Sequence, residues 1–600
     1  LAWYVDASRS ARRGVFVAIV GIATIVLPSA TPWRLLRTSP LTRSASTPND
    51  AADVLFTSVG RSASVMVLDT PYGIRVQTNG VPESLILTPG GLMGLTRPAR
   101  WMGILPSLSK DRIERMMVIG LGGGVILEEI PDHVERVEVI ELEPQVVEAN
   151  RAVATLRARD PLDDPRMRLR IADARRVLSL TTDEFDAIVS QPSHPWTAGA
   201  SHLYTREFFE SVRSRLASDG YFVQWLGLGF VDEPLLQSFV ATLAAVFPNV
   251  QAYLPNETSL LFVSSVDARD PIEGLDAYLA APGNLGLQVG MRSAAELRAA
   301  LVLDDAAARR FSEGAPLITD DDNVMAIRAP LVRYSLVGRI SRVLGRFDPL
   351  RVAREDVPQW ALLRPLLRLE RYSQARRVAE SIADLPLRRA AETWLESEKT
   401  AGFGAGVRLR EIAPDSPLYP EASWALARRN QDELARATPG SAELFDRLDP
   451  ATQLVVQGWR LGLLEDWEGL SRLDTVLAEI DPNAPAWEAA QQLRFVWRVQ
   501  DDEEALVREA LEILDGDPSW TVQRLALRAA SAARLGDGDA VLHSMRALEG
   551  RNPRRLTREL ARGALEALET LPPEAVGPEE RERLQRFLEI ALGQGPQEID

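Results

Sequence analysis

Hydrophobic and polar positions divide the chain into three regimes. From Gly14 to Trp33 there are twenty residues without a charge, with Arg9, Arg12 and Arg13 before them and Arg34 and Arg37 after them. At about 1.5 Å per helical residue such a run can cross the ~30 Å hydrocarbon core of a bilayer. Residues 1–34 are therefore expected to form a transmembrane segment, with a signal peptide or a buried helix as the alternatives. Arginines on both flanks leave its orientation undecided. Residues 35–52, rich in Ser, Thr, Pro and Arg, read as a linker.

Beyond residue 53 the period changes. Short β-rich runs alternate with helical patterns as far as about residue 330, which is the signature of an α/β domain. Strands are predicted at Ser64–Leu68, Gly73–Gln77, Met116–Ile119, Val137–Glu141, Arg168–Ile171, Ala187–Ser190, Tyr221–Trp225 and Ser259–Ser264. These divide into a small β-domain over 53–112 and a larger α/β domain over 113–335. From 350 to 600 strand patterns vanish and amphipathic helices remain. Prolines 414, 450, 482, 518 and 553 recur there at spacings of 36, 32, 36 and 35. That period is similar to tetratricopeptide repeats, although the full aromatic and glycine signature is absent. A stack of helix pairs offers a concave surface to a protein partner, or simply packs on its neighbour. Trp459, Trp467, Trp487, Trp497 and Trp520 read as core rather than as a ligand cage.

Composition narrows the chemistry. Six hundred residues imply two to four domains. A net charge of −16 argues against nucleic acid as a partner, since affinity for phosphate backbones comes from Lys and Arg. The absence of cysteine removes disulfides, thiolate metal sites and cysteine nucleophiles. Lysine is confined to Lys110 and Lys399, and histidine to His133, His194, His202 and His543, so no metal centre is expected.

The local signal that remains is Met116-Met-Val-Ile-Gly-Leu-Gly-Gly-Gly124, an apolar strand running into Gly120, Gly122 and Gly124. Such glycines let the backbone turn sharply and approach a ligand, and the next helix offers free N–H groups. Val125 stands where a dinucleotide fingerprint has Gly or Ala, and no lysine follows to make a P-loop. Glu141 ends the next strand, 21 residues after Gly120, where a nucleotide-type fold places a carboxylate for the ribose hydroxyls. Asp173 ends the third strand and fits either an adenine amino group or a helix cap.

These residues resemble the spermidine synthase (polyamine aminopropyltransferase) family, in its membrane-fused bacterial branch. The resemblance rests on Val118–Gly124, Val139-Ile-Glu-Leu-Glu-Pro144, Asp173-Ala-Arg175, Gln191-Pro-Ser-His-Pro-Trp196, Leu203–Phe209, Asp219–Trp225 and Thr319–Asn323. It implies a Rossmann-like fold of the class I methyltransferase type behind a small N-terminal β-domain, and an inner-membrane location. In that frame Gly120, Gly122 and Gly124 line a sulfonium nucleoside, Glu141 holds its ribose and Asp173 its adenine. The co-substrate would be decarboxylated S-adenosylmethionine, or S-adenosylmethionine itself, without a metal. Glu83, Trp196 and Tyr204 would face a small amine or polyamine, and a homodimer is left open.

One departure bears on catalysis. The family has aspartates at the positions of Gln191 and His194. An amide is no base; an imidazole can be one, or can simply bond the loop. Three functions stay open: aminopropyl transfer, methyl transfer, and a silent nucleoside-binding domain whose helical repeats recruit a partner.

Overall fold

The computed structural model describes residues 53–592 apart from short internal stretches, among them 71–72, 88–95, 196–198, 282–285, 333–336, 400–407, most of 501–521, and 550–557. Four antiparallel strands come first: β1 (Asp53–Val59), β2 (Ser64–Thr70), β3 (Gly73–Thr78) and β4 (Val81–Ile86), paired in chain order. Asn79 and Gly80, at φ 51° and 75°, form the two-residue turn between β3 and β4. Asn-Gly suits that turn because both positions need positive φ. Beyond it the register slips. Gln77 faces Pro82 and Val76 faces Ser84, so Glu83 is the extra residue of a bulge.

An eight-stranded sheet follows, built from β5 (Met116–Ile119), β6 (Val137–Glu141), β7 (Met167–Ile171), β8 (Phe185–Ser190), β9 (Leu216–Gly227), β10 (Asn249–Asn256), β11 (Ser259–Ser265) and β12 (Leu301–Leu303). Its spatial order is β12-β10-β11-β9-β8-β5-β6-β7. Strands β5 to β9 pair in parallel and β11 runs antiparallel to β9 and β10. The chain winds outward from β5 in both directions, which is the Rossmann-like arrangement expected.

Alternation along β5 shows how the sheet is buried on both faces. Met116 and Val118 enter one core, Met117 and Ile119 the other. The second core is aromatic, with Phe222 stacked on Phe247 and Phe239 edge-on to Phe262. The first core extends without a break from Val65 and Val76 of the small β-domain, through the sheet, to Leu363, Trp394 and Val456.

After residue 337 the described elements are helical, as expected, but the helices run from 5 to 15 residues. No uniform repeat emerges, and the tetratricopeptide reading is not supported. Pro450 opens the helix Pro450–Leu463, while Pro518 and Pro553 lie outside the described residues. Trp487 is buried, and Trp459 and Trp467 are packed at the edge of apolar cores. Ion pairs tie this region to the α/β domain: Arg368 to Glu296 at 2.6 Å and Arg298 to Asp356 at 2.7 Å.

The inner-membrane location requires correction. Among the described residues no helix is long and apolar enough to cross a membrane. The longest, Leu385–Lys399 and Pro578–Leu592, have 15 residues each and carry charges along their length. Residues 14–33, on which that expectation rested, and the linker 35–52 lie outside the described residues.

Candidate functional site

A cavity of about 730 Å³ opens at the carboxyl ends of β5 to β8. Strand β5 sits between β6 and β8, so the loops leaving β5 and β8 diverge there, where open α/β sheets take ligands. The two loops touch: Gln191 N–H donates to the Ile119 carbonyl at 3.0 Å. A Cβ on Gly120 would lie 2.5 Å from the Gln191 carbonyl oxygen, and Gly120 has φ +92°. Only glycine fits.

Gly122, at φ +52°, also lines the cavity, and a Cβ there would meet nothing closer than Ser84 at 3.8 Å. Gly124 behaves differently from the expectation. It caps the helix Val125–Glu128 in a left-handed conformation and faces Pro161, Asn150 and Arg157, away from the cavity lining. Asn150 donates to the Gly122 carbonyl at 2.7 Å and Arg157 to the Gly123 carbonyl at 3.0 Å, so the loop is held from behind. Arg157 is itself paired with Glu128, which also receives Arg100 at 2.8 Å.

Glu141 ends β6 and forms part of the cavity wall while only 8% exposed. Its two oxygens accept from the N–H groups of Leu121 at 2.9 Å and Glu143 at 2.8 Å. Burial pushes this carboxyl above the ordinary range, and those backbone donors offset only part of the shift. Each oxygen keeps a further lone pair, which is what a pair of vicinal hydroxyls needs. Asp173 lines the cavity and at the same time caps the helix Ala174–Leu180, accepting from Arg176 N–H at 3.0 Å. The helix-cap reading is thus observed, and the same carboxylate faces the cavity.

Three lining groups were not singled out from the sequence. Glu143 accepts from Ser62 N–H and hydroxyl, each at 2.8 Å, and so ties the β1–β2 loop to the end of β6. Burial works to raise its carboxyl, but donors from Ser62, Arg61 and Ala63 outweigh that and hold it below the ordinary range. Arg175 grips Asp320 through two bonds, at 2.8 and 2.5 Å, on the cavity rim. That guanidinium, with burial opposing, takes the Asp320 carboxyl down to about 2. The signal for Glu143 was its place in Glu-Leu-Glu-Pro144, two residues past Glu141.

A second chamber of about 200 Å³ adjoins the first and shares Glu83, Gly122, Gln191 and Pro192 with it. His194, Trp225, Gly227, Gly229, Thr258 and Ser259 complete its lining together with Pro82. His194 is 4% exposed, and its Nε2 lies 3.1 Å from the Pro82 carbonyl. A carbonyl only accepts, so Nε2–H is the donor. Tyr204 lines neither chamber. Its hydroxyl donates to the Ser193 carbonyl at 3.4 Å, and burial, with the charge of Glu83, raises its pKa. Trp196 lies outside the described residues. Among them, no group of three or more His, Asp or Glu side chains is placed to hold a metal.

Fold and site together define a Rossmann-like α/β domain with an acid-lined, two-chambered cavity at its switch point. Residues 99–263 match the family model of the spermine/spermidine synthase domain. Polyamine aminopropyltransferases of Yersinia pestis (strain Pestoides F) and Yersinia pseudotuberculosis (serotype O:1b) are each 30% identical over 151 residues, 25% of this chain and 51% of theirs. The chain thus spans about half the length of these curated relatives. Among solved structures, spermidine synthase from Thermotoga maritima aligns at 19% identity and a TM-score of 0.33, over 49% of this chain and 88% of that one. A probable spermidine synthase from Corynebacterium glutamicum aligns at 20% identity and a TM-score of 0.33, over 44% and 96%.

Proposed function

We propose that this domain binds decarboxylated S-adenosylmethionine in the larger chamber and transfers its aminopropyl group to an amine in the smaller one. The observation that carries the reading is Glu141: a buried carboxylate with both oxygens fixed by backbone donors, beside a loop of positive-φ glycines. It would take the two ribose hydroxyls. Asp173, which lines the same chamber, would take the adenine amino group. Glu83, Glu141 and Glu143 all line this chamber, and their like charges disfavour the carboxylate of S-adenosylmethionine and favour the decarboxylated form. This favours aminopropyl over methyl transfer.

Calorimetry on the full chain with decarboxylated S-adenosylmethionine, S-adenosylmethionine and methylthioadenosine tests the reading. Tighter binding of the decarboxylated form is expected. Preference for S-adenosylmethionine would move the domain to the methyltransferases, and no binding of any of the three would overturn both enzymatic readings.

A further inference from the structure

Position 191 lacks the acid that amine chemistry needs, yet the wall between the chambers does not. Among the described residues Glu83 is the one carboxylate that lines both chambers; Gly122, Gln191 and Pro192, which share that wall, carry no ionisable group. Its placement follows from the hairpin. The Asn79-Gly80 turn sets the pairing, and the slip between Val76 and Gln77 leaves Glu83 as the unpaired residue of a bulge. Bulges redirect side chains in this way. Here the redirected group leaves the small β-sheet and reaches the loop after β8.

Two hydroxyls hold it there. Thr78 of β3 and Ser193, two residues past Gln191, both donate to Oε1. Among the described residues Oε2 has no hydrogen-bond partner in the protein, and Glu83 takes part in no ion pair. The ionisable groups around it are Glu141 and Tyr204, both of which sense its charge, and His194 across the small chamber. Of the two arginines that line the larger chamber, Arg175 and Arg176, Arg175 is committed to Asp320. A half-buried carboxylate without a cationic partner is poised for a cationic ligand.

We infer that Glu83, from the small β-domain, anchors the acceptor amine and removes its proton. This rests on the aminopropyl-transfer reading above. In the step, a proton passes from the acceptor ammonium to Glu83. The freed nitrogen lone pair attacks the propyl carbon bound to the sulfonium. The N–C bond forms and the C–S bond breaks. Its electron pair stays on sulfur, giving neutral methylthioadenosine and a secondary ammonium, and Glu83 returns one proton to solvent. His194, donating to the Pro82 carbonyl, is then a positioning residue that fixes the chain immediately before Glu83.

The test uses the full chain in two stages. Wild type and Glu83→Gln are saturated with methylthioadenosine and titrated with putrescine, cadaverine and n-butylamine. Turnover with decarboxylated S-adenosylmethionine is then measured for whichever amine binds. Glu83→Gln should bind methylthioadenosine as wild type does, weaken the amine at least about 10-fold, and slow turnover by ~100-fold or more, the scale of a lost general base. The double variant E83Q/Q191D moves the acid across the shared wall and should recover part of that turnover. Failure of wild type to bind methylthioadenosine would instead sink the underlying function. Normal nucleoside binding with amine affinity unchanged in Glu83→Gln, or with no amine bound by wild type, would overturn the role of Glu83.

Discussion

Glu141 shows how one residue can face a cavity at the expense of its own solvation. Its carboxylate is buried and its pKa is raised, so the charged form is kept by the Leu121 and Glu143 N–H groups. Glu141→Gln retains the shape but supplies one acceptor in place of two. Affinity for methylthioadenosine is expected to fall roughly 10- to 100-fold, since a hydrogen bond to a charged acceptor contributes about 1.5–3 kcal/mol. Acidification should weaken wild-type binding at a higher pH than an ordinary carboxylate would, because a raised pKa brings protonation sooner; a binding titration against pH reads this directly. Asp320 behaves in the opposite sense. Its folded pKa, about 2, lies below that of the unfolded chain, so the stability it lends is complete above the unfolded value of ~3.9 and is lost as pH falls toward 2. The thermal midpoint of wild type should exceed that of Asp320→Asn at neutral pH, and the gap should close between about pH 4 and pH 2.

The glycine loop makes the corresponding point for an element. Gly120→Ala should unfold or strongly destabilise the domain, because the methyl would meet the Gln191 backbone at 2.5 Å. Gly122→Ala meets no protein atom nearer than 3.8 Å; left-handed strain of about 1–2 kcal/mol is its main structural cost, and its methyl would narrow the ligand space. Thermal melts beside methylthioadenosine titrations separate the two outcomes. Eight strands were legible because alternation and β-branched runs mark them, and all eight appear within a few residues of their expected bounds. Strands β1, β4, β10 and β12 were missed: β4 carries Pro82 and Glu83 in its middle, and β12 is three residues long. At the site, Gly120, Gly122, Glu141 and Asp173 could be read in advance because each lies at the end of a strand of the parallel sheet or within three residues past it. Glu143, Arg175 with Asp320, and Ser193 act through contacts between distant segments, to which local spacing is blind. Gly124 was read with its neighbours, yet the chain has already turned beneath the loop by that point.

In the whole molecule the expected boundary near residue 350 marks a change of secondary structure rather than an edge of the core. Leu297, Ala300 and Leu301 share one apolar cluster with Leu350, Leu363 and Leu366, whereas residues from Leu511 to Leu588 form a cluster of their own. A chain ending at Gly345 is therefore expected to melt several degrees below the full chain or to aggregate, while one ending at Gln500 should keep the α/β transition close to its original midpoint. Calorimetric scans of the three chains check this. The hairpin that bears Glu83 lies outside residues 99–263, the stretch that matches the synthase-domain model. Inheritance can then act on the two pieces separately. A lineage could exchange its acid at position 191 for an amide without losing its chemistry, provided a bulge elsewhere had already brought in another. Judged on the shared stretch alone, such a descendant would be counted among the dead enzymes while its working group sat one hairpin upstream.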